Sequence, residues 1–380
     1  MRNSVFSLFS LIAVIVPTAE ARASLPTYDR IIVLDKTAVT SANVSIGDVN
    51  GDGHPDVVIA NGRHWPLISR VFLGDGHGKF AEGYDLGEQA YRSYSAHLVD
   101  MDGDGALDAV LSNDAPDPKL IYLNDGKGHF HEGSRFGQPE WPTRHATIVD
   151  LNGDKLPDIV VANRSEAVGN FICMNKGRGQ FGADCIQFST ESATTVTAAD
   201  FNRDRLIDLA VPYRDGGQSY VYLAGPGATY SSARRIPFGP PDANIRMVGT
   251  ADLNSDGLLD IVAIDDQHRG VAAYFGRKGG KFSPGVALDN AAATPNALAL
   301  TDLNRDGKID VVVGNVGAPS TVFFNDGTGR HYTSVHFGDG EGAVFGLAVA
   351  DLDADGLLDI AVARSNTTNL ICFAAAARKR

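Results

Sequence analysis

A nine-residue acidic pattern that returns seven times at a nearly constant interval constrains this chain more than any other feature. The copies are DVNGDGHPD from Asp48, DMDGDGALD from Asp100, DLNGDKLPD from Asp150 and DFNRDRLID from Asp200. DLNSDGLLD from Asp252, DLNRDGKID from Asp302 and DLDADGLLD from Asp351 complete the set. Successive copies begin 52, 50, 50, 52, 50 and 49 residues apart. A fixed period of this length marks a supersecondary unit that cannot bury its apolar face alone. Such units stack on copies of themselves, in an open solenoid or a closed propeller.

One period reads as four short strands. In the second unit the apolar run Ala96–Val99 enters the acidic loop, and Ala109–Leu111, Leu120–Leu123 and Phe130–Phe136 follow. The third and fourth are joined by NDGKG at Asn124–Gly128, where Asn, Asp and Gly supply the positive φ that hairpin turns require. GDGHG at Gly74–Gly78, NKGRG at Asn175–Gly179 and NDGTG at Asn325–Gly329 repeat that turn. Helical periodicity is absent. After the last acidic loop only Ile360–Ala363 and Leu370–Phe373 read as strands, so the last unit lacks one. The register of the second unit, carried back from Asp48, falls on YDRIIVL at Tyr28–Leu34. A strand there would complete the seventh unit, close the ring and leave no free sheet edge. The expected fold is all-β: a seven-bladed propeller of four-stranded blades.

Each acidic loop offers side-chain oxygens at positions one, three, five and nine. These are Asp48, Asn50, Asp52 and Asp56 in the first copy, and Asp100, Asp102, Asp104 and Asp108 in the second. The third and fourth have Asp150, Asn152, Asp154, Asp158 and Asp200, Asn202, Asp204, Asp208. The fifth and sixth have Asp252, Asn254, Asp256, Asp260 and Asp302, Asn304, Asp306, Asp310, and the seventh has Asp351, Asp353, Asp355, Asp359. Alternating oxygens in a tight loop suit a hard cation, and a flexible set of several protein oxygens suits Ca²⁺ better than Mg²⁺. His and Cys are missing from these positions, which argues against zinc or copper. An EF-hand is excluded, because position twelve is apolar in all copies where that loop needs Glu. The motif holds 23 of the 46 acidic residues, and without a cation each loop would crowd like charges together. Up to seven Ca²⁺ are expected, weakest at the third and fourth loops. There Lys155 and Arg205 replace the Gly that favours a left-handed turn at position six, and they bring positive charge close to the ion.

The D-x-[ND]-x-D-G-x-x-D loops, each leading into a strand and an N-D-G-x-G-x-F turn, resemble the FG-GAP, or VCBS, repeat. The loops are also similar to those in the propeller of integrin α-subunits. The resemblance spans essentially the whole of residues 24–380. It implies a seven-bladed propeller with calcium between the first two strands of a blade. Function is not implied with equal force, since the family includes adhesion receptors, lectins and polysaccharide lyases.

Residues 1–23 read as a secretory signal peptide, with Arg2, the apolar run Val5–Val16 and small residues at Ala19, Ala21 and Ala23. Export, to the periplasm or the exterior, follows as an expectation. No other segment is apolar enough to span a membrane. The formal charge is -13 with Lys and Arg scattered, which excludes nucleic acid as a partner. Seven divalent ions would nearly cancel that charge. Of the three Cys, Cys173 and Cys185 flank one hairpin, and their spacing allows a disulfide or buried thiols.

With the metal loops on one face, the loops between second and third strands, and those between blades, lie on the other. Six residues before each first Asp stand Ala42, Tyr94, Arg144, Thr194, Arg246, Asn296 and Phe345, near the mouth of a central channel. Tyr94, Arg144 and Arg246, with Trp65 and Trp141 on loops of that face, are the candidate ligand residues. Aromatic planes beside Arg suit a sugar, an acidic glycan or an acidic peptide end. The expected function is a monomeric binding or scaffolding module for a protein or carbohydrate, with structural calcium. The alternative is a polysaccharide lyase or hydrolase acting at the channel mouth through Arg144, His145 or Arg246. Against it, no nucleophile motif or zinc-protease motif is present.

Overall fold

The computed structural model describes residues 25–376 apart from 183, 269 and 289–292. The expected signal peptide lies outside the described residues. The strands form seven four-stranded antiparallel units. In the second blade they are Ser93–Val99, Asp108–Asn113, Lys119–Asn124 and Phe130–Phe136, paired in that order. Second strands are buried along their length, as at Asp56–Asn61, Asp158–Asn163 and Asp260–Asp265, because neighbouring blades cover both faces. Fourth strands lie at the rim with one side in solvent, as at Phe130–Phe136.

The seventh blade is completed from the N-terminal side. Its first three strands are Ala343–Ala350, Asp359–Thr367 and Leu370–Ala375, and Thr27–Val33 pairs antiparallel with the last of these. Tyr28 is buried against Phe337 of the sixth blade and Cys372 of the seventh. The ring then closes on itself: Phe373 and Ala361 of the seventh blade share a core with Val57 and Phe72 of the first. Seven apolar clusters occur, one between each adjacent pair of blades. The molecule is a seven-bladed β-propeller. Around the channel, side chains of one inner strand donate to the backbone of the next. Ser45 Oγ reaches the Ala96 carbonyl at 2.7 Å, Thr147 Oγ1 that of Val196 at 2.6 Å, and Asn296 Nδ2 that of Val344 at 2.5 Å.

The acidic motif is part of this packing. Its second residue is apolar and buried in all seven loops, and each one plugs the cluster shared with the following blade. Val49 lies between blades one and two, Met101 between two and three, and Leu352 between seven and one. The position-nine Asp is fully buried in every copy. One oxygen accepts the N–H of position two, and the other accepts an N–H at the end of the third strand. Asp56 bonds Val49 and Gly74 at 2.8 and 2.9 Å, Asp108 bonds Met101 and Asn124 at 2.9 Å each, and Asp359 bonds Leu352 and Ala374 at 2.8 Å each. Asp158, Asp208, Asp260 and Asp310 repeat the pattern.

The Asn that opens three of the hairpin turns does something other than the expected supply of positive φ, which falls instead on Gly126 and Gly128. Asn124 is buried and donates to Val49 O of the preceding blade at 2.7 Å and to Leu107 O at 3.1 Å. Asn175 reaches Met101 O, and Asn325 reaches Leu253 O, in the same way. Cys173 and Cys185 form a disulfide across the outer half of the third blade, with Cα atoms 4.3 Å apart, while Cys372 is free and buried.

Asn124→Ala should destabilise the protein by about 1–3 kcal/mol in chemical denaturation, because the buried Val49 carbonyl and the part-buried Leu107 carbonyl lose their donor. Exposed Lys127→Ala in the same turn should shift stability by less than about 0.5 kcal/mol; equal losses would refute the inter-blade role. Burial raises the position-nine carboxyls, and those of Asp108, Asp208, Asp260, Asp310 and Asp359 go up to about 6, against the backbone donors that favour the ionised form. A carboxyl raised above its unfolded value of about 3.9 favours the fold when protonated. Its contribution is complete below that value and fades as pH climbs through about 6. Metal-stripped protein should therefore melt at a higher temperature at about pH 5 than at about pH 7 by circular dichroism. A lower one would show that the N–H donors outweigh burial.

Candidate functional site

The seven acidic loops follow the first strands and share one face of the ring. In each, one oxygen of the position-one Asp accepts the position-six N–H, from Gly53 to Asp48 at 2.8 Å and from Gly257 to Asp252 at 2.7 Å, for example. The position-five Asp accepts the N–H of position seven, as Asp104 does from Ala106 at 2.8 Å. Position six is left-handed throughout. Lys155 and Arg205 adopt it too, at φ 69° and 70°, and keep the same bonds to Asp150 and Asp200 at 2.8 Å. The third and fourth loops thus hold the common backbone at a strain of about 1–2 kcal/mol each, with both long side chains exposed.

The donor sets differ among the loops. Carboxylate oxygens of Asp100, Asp102 and Asp104 lie within 4.8 Å of one another, as do those of Asp351, Asp353 and Asp359. In the seventh loop, Asp351 Oδ1 and Asp353 Oδ1 are buried with no hydrogen-bond donor. Unpartnered buried carboxylate oxygens facing one another fit a hard divalent cation. The other oxygen of Asp353 pairs with Arg30 of the N-terminal strand at 2.6 Å. In the first, third and fourth loops, Asn50, Asn152 and Asn202 donate their amides to Asp52, Asp154 and Asp204 at 2.9, 3.0 and 3.0 Å. A cation there would take the amide oxygen and both carboxylates only after those bonds break.

The opposite face holds a cavity of about 490 Å³ at the channel mouth. All seven residues six places before the acidic loops line it, Tyr94, Arg144 and Arg246 included. Arg63, His64, Arg164 and Arg214, from the loops after the second strands, line it as well and were missed from sequence. The repeat carried a signal for Arg164 and Arg214: with Asp114 and Asp266 they stand 14 residues after a first Asp, a register that is charged in four blades, whereas Arg63 and His64 stand 15 and 16 after Asp48, off that register. Trp65 is 69% exposed on its loop and does not line the cavity. Trp141 also lies outside it, stacked on Phe171 with ring centroids 4.0 Å apart and packed into the cluster between the second and third blades.

Ion pairs lace the mouth from blade to blade. Arg144 meets Asp114 at 2.5 Å, Arg164 meets Asp215 at 2.7 Å, and Asp266 serves both Arg214 at 2.6 Å and Arg246 at 2.9 Å. The aromatic faces carry guanidiniums: Arg144 lies 4.2 Å from the Tyr94 centroid and Arg63 3.5 Å from that of Phe345. Deeper down, His97 and His145 meet edge to face, 4.7 Å between centroids. The lumen still touches both rings, yet protein surrounds them, and that desolvation lowers His97 to about 4 and His145 to about 3. Both imidazoles are neutral at physiological pH and weak as bases.

Comparison with known proteins fits this architecture. No curated protein is a significant sequence match. Among solved structures, a lectin of Agrocybe aegerita, described for recognition of non-reducing terminal N-acetylglucosamine, superposes with TM-score 0.55 at 19% identity. That match covers 79% of this chain and 80% of the lectin. BBS1N, in a complex with ARL6DN soaked with mercury, gives TM-score 0.60 at 14% identity over 92% of this chain and 97% of that one. The same complex soaked with lead gives 0.62 at 14%, over 94% and 99%. At these identities the likeness is one of fold. The FG-GAP-like repeat matches six times in overlapping windows, at 48–111, 100–161, 150–211, 200–263, 252–313 and 302–362. With its loops, blades and register in agreement, the chain belongs to the FG-GAP-like repeat family.

Proposed function

We propose that the mature protein is an exported, calcium-loaded recognition propeller that holds a carbohydrate or protein ligand at the channel mouth. The observation that carries this reading is the contrast between the two faces. The acidic face repeats one chemistry seven times, as a scaffold does. At the mouth the same register carries six residue types in seven blades (Ala42, Tyr94, Arg144, Thr194, Arg246, Asn296 and Phe345), Arg alone occurring twice, which favours one asymmetric site over seven equal ones. Neighbours in fold described as recognising a sugar or in complex with a protein support a recognition role. The leader-like residues 1–23 and the Cys173–Cys185 disulfide support export to an oxidising compartment. The unpartnered oxygens of the seventh loop support calcium, with Asp351, Asp353 and Asp359 as its first ligands and the second loop next. Calcium there supplies charge neutralisation and ties the first two strands together. Enzymatic use of the mouth is disfavoured, because its guanidiniums are largely engaged by carboxylates and its imidazoles are poor bases.

Chelation by EGTA should lower the melting temperature by several degrees, with calcium restoring it and magnesium doing so poorly; no shift would end the calcium reading. Asp252→Ala should cost more calcium-dependent stability than Asp204→Ala, since the fourth loop carries Arg205. Equal losses would refute that ranking. On a glycan and protein array, the recognition reading requires a ligand bound once per chain, and binding at seven equal sites would overturn the placement at the mouth.

A further inference from the structure

Positive charge is in surplus at the channel mouth although the chain as a whole is strongly acidic. Five guanidiniums line the cavity, those of Arg63, Arg144, Arg164, Arg214 and Arg246. Three carboxylates, Asp114, Asp215 and Asp266, pair with four of them. Among the described residues, Arg63 has no carboxylate within ion-pair distance. Its Nε is buried without an acceptor, and its hydrogen bond to Ser365 Oγ is a long one, 3.4 Å.

Arg63 is nonetheless held in place. Its φ is 51°, a left-handed conformation that few non-glycine residues adopt, and it follows Gly62 at φ 122°. A Cβ on Gly62 would lie 2.3 Å from Tyr91 O, so the chain there admits glycine alone. The Arg63 N–H donates to Ser93 O at 3.1 Å, and its guanidinium rests on Phe345 with Tyr94 at 5.8 Å on the side toward Arg144. Nine other non-glycine residues share the left-handed φ, so what sets Arg63 apart is a fixed cation without a counter-ion, and that is the ground for a functional reading. Burial above all, with smaller contributions from the charges of Arg246 and Arg144, makes protonation of Arg63 less favourable than in water.

The chemistry of the walls narrows the ligand. The Thr194 hydroxyl is spent on Arg246 O and the Asn296 amide on Val344 O, which leaves Asn43, Thr195 and Thr197 as neutral donors of the lining. The faces of Tyr94 and Phe345 are covered by guanidiniums, which removes them as platforms for a neutral sugar ring. The charged donor without a carboxylate partner is the Arg63 guanidinium, whose planar fork matches a carboxylate. Inner-strand edges are already capped by neighbouring side chains, as at Ser45 and Thr147, so a peptide main chain would find no ladder to join. A cavity of about 490 Å³ has the size of a small-ligand site.

We propose that the channel mouth is a dianion site, in which Arg63, with Arg144 and Arg246 beside it, receives the carboxylates of a uronate-bearing saccharide or of a free dicarboxylic acid. This deepens the recognition reading and rests on it. The test is calorimetry on the full mature chain at fixed free calcium, with trigalacturonate, the neutral galactose trimer, succinate and a poly-glutamate peptide as probes. Trigalacturonate should bind once per chain, more weakly as salt rises, and the neutral trimer should not bind. Succinate of equal affinity would assign the site to a free acid, and weaker succinate to the saccharide. Arg63→Ala should lose about tenfold or more in affinity, and Arg63→Lys should recover only part, lacking the fork. Asp114→Asn, which removes the competitor for Arg144, should bind about threefold more tightly, a gain that no folding defect can imitate. Melting temperatures of the calcium-loaded variants serve as the folding control. The inference is overturned by neutral trimer binding as well as the charged one, by weaker binding in Asp114→Asn at unchanged melting temperature, by poly-glutamate outbinding both small probes, or by no probe binding. A neutral saccharide or a protein seated at the mouth would leave the recognition reading standing without the dianion. An array in which nothing binds there would remove both.

Discussion

A buried carboxylate with two backbone donors is the joint on which the propeller depends. The position-nine Asp of every blade has no exposed surface, and each of its oxygens takes one N–H. One donor is the apolar residue that plugs the next interface, and the other ends the third strand. A single side chain thus couples the loop, its own sheet and the neighbouring blade. Removing such a group leaves two buried N–H groups without acceptors, a heavier loss than that of an exposed ion pair. Because the coupling runs around a closed ring, no blade is a free end.

The two faces divide the labour. On one, hydrogen bonds inside each loop pre-shape the backbone, and two carboxylate oxygens of the seventh loop are buried without donors. On the other, residues at equivalent places in the repeat diverge, and ion pairs join the second blade to the third, the third to the fourth and the fourth to the fifth. The sixth and seventh blades contribute Asn296 and Phe345 in place of charges. The mouth is therefore laced by ion pairs on one side, while on the other the unpaired Arg63 rests on Phe345. Divergence at a shared register is how a repeat fold makes a single site.

Position nine is also where reading the motif as a ligand set was incomplete. Four oxygens in alternation suggest one ion, but the fourth is shared with the fold, and only its remaining lone pairs are available to a metal. Among the described residues, only the seventh loop brings that carboxylate together with two others. The Asn of the hairpin turn was likewise read locally, as a source of positive φ. Its amide instead crosses to the preceding blade, a contact between residues 75 positions apart that no window of the sequence displays.

The sequence by itself determined the architecture. A period near 50, four strands per unit and a displaced strand at the N-terminus leave one closed arrangement, because each blade must bury two faces and no edge can stay open. It also determined seven of the residues at the channel mouth, since a constant offset in a repeat is a constant place in space. Tertiary structure alone decided the rest. Arg63, His64, Arg164 and Arg214 enter the cavity, Trp65 and Trp141 do not, and Cys173 and Cys185 join, because side-chain direction and the distances between loops are set by the packing of blades and not by spacing along the chain.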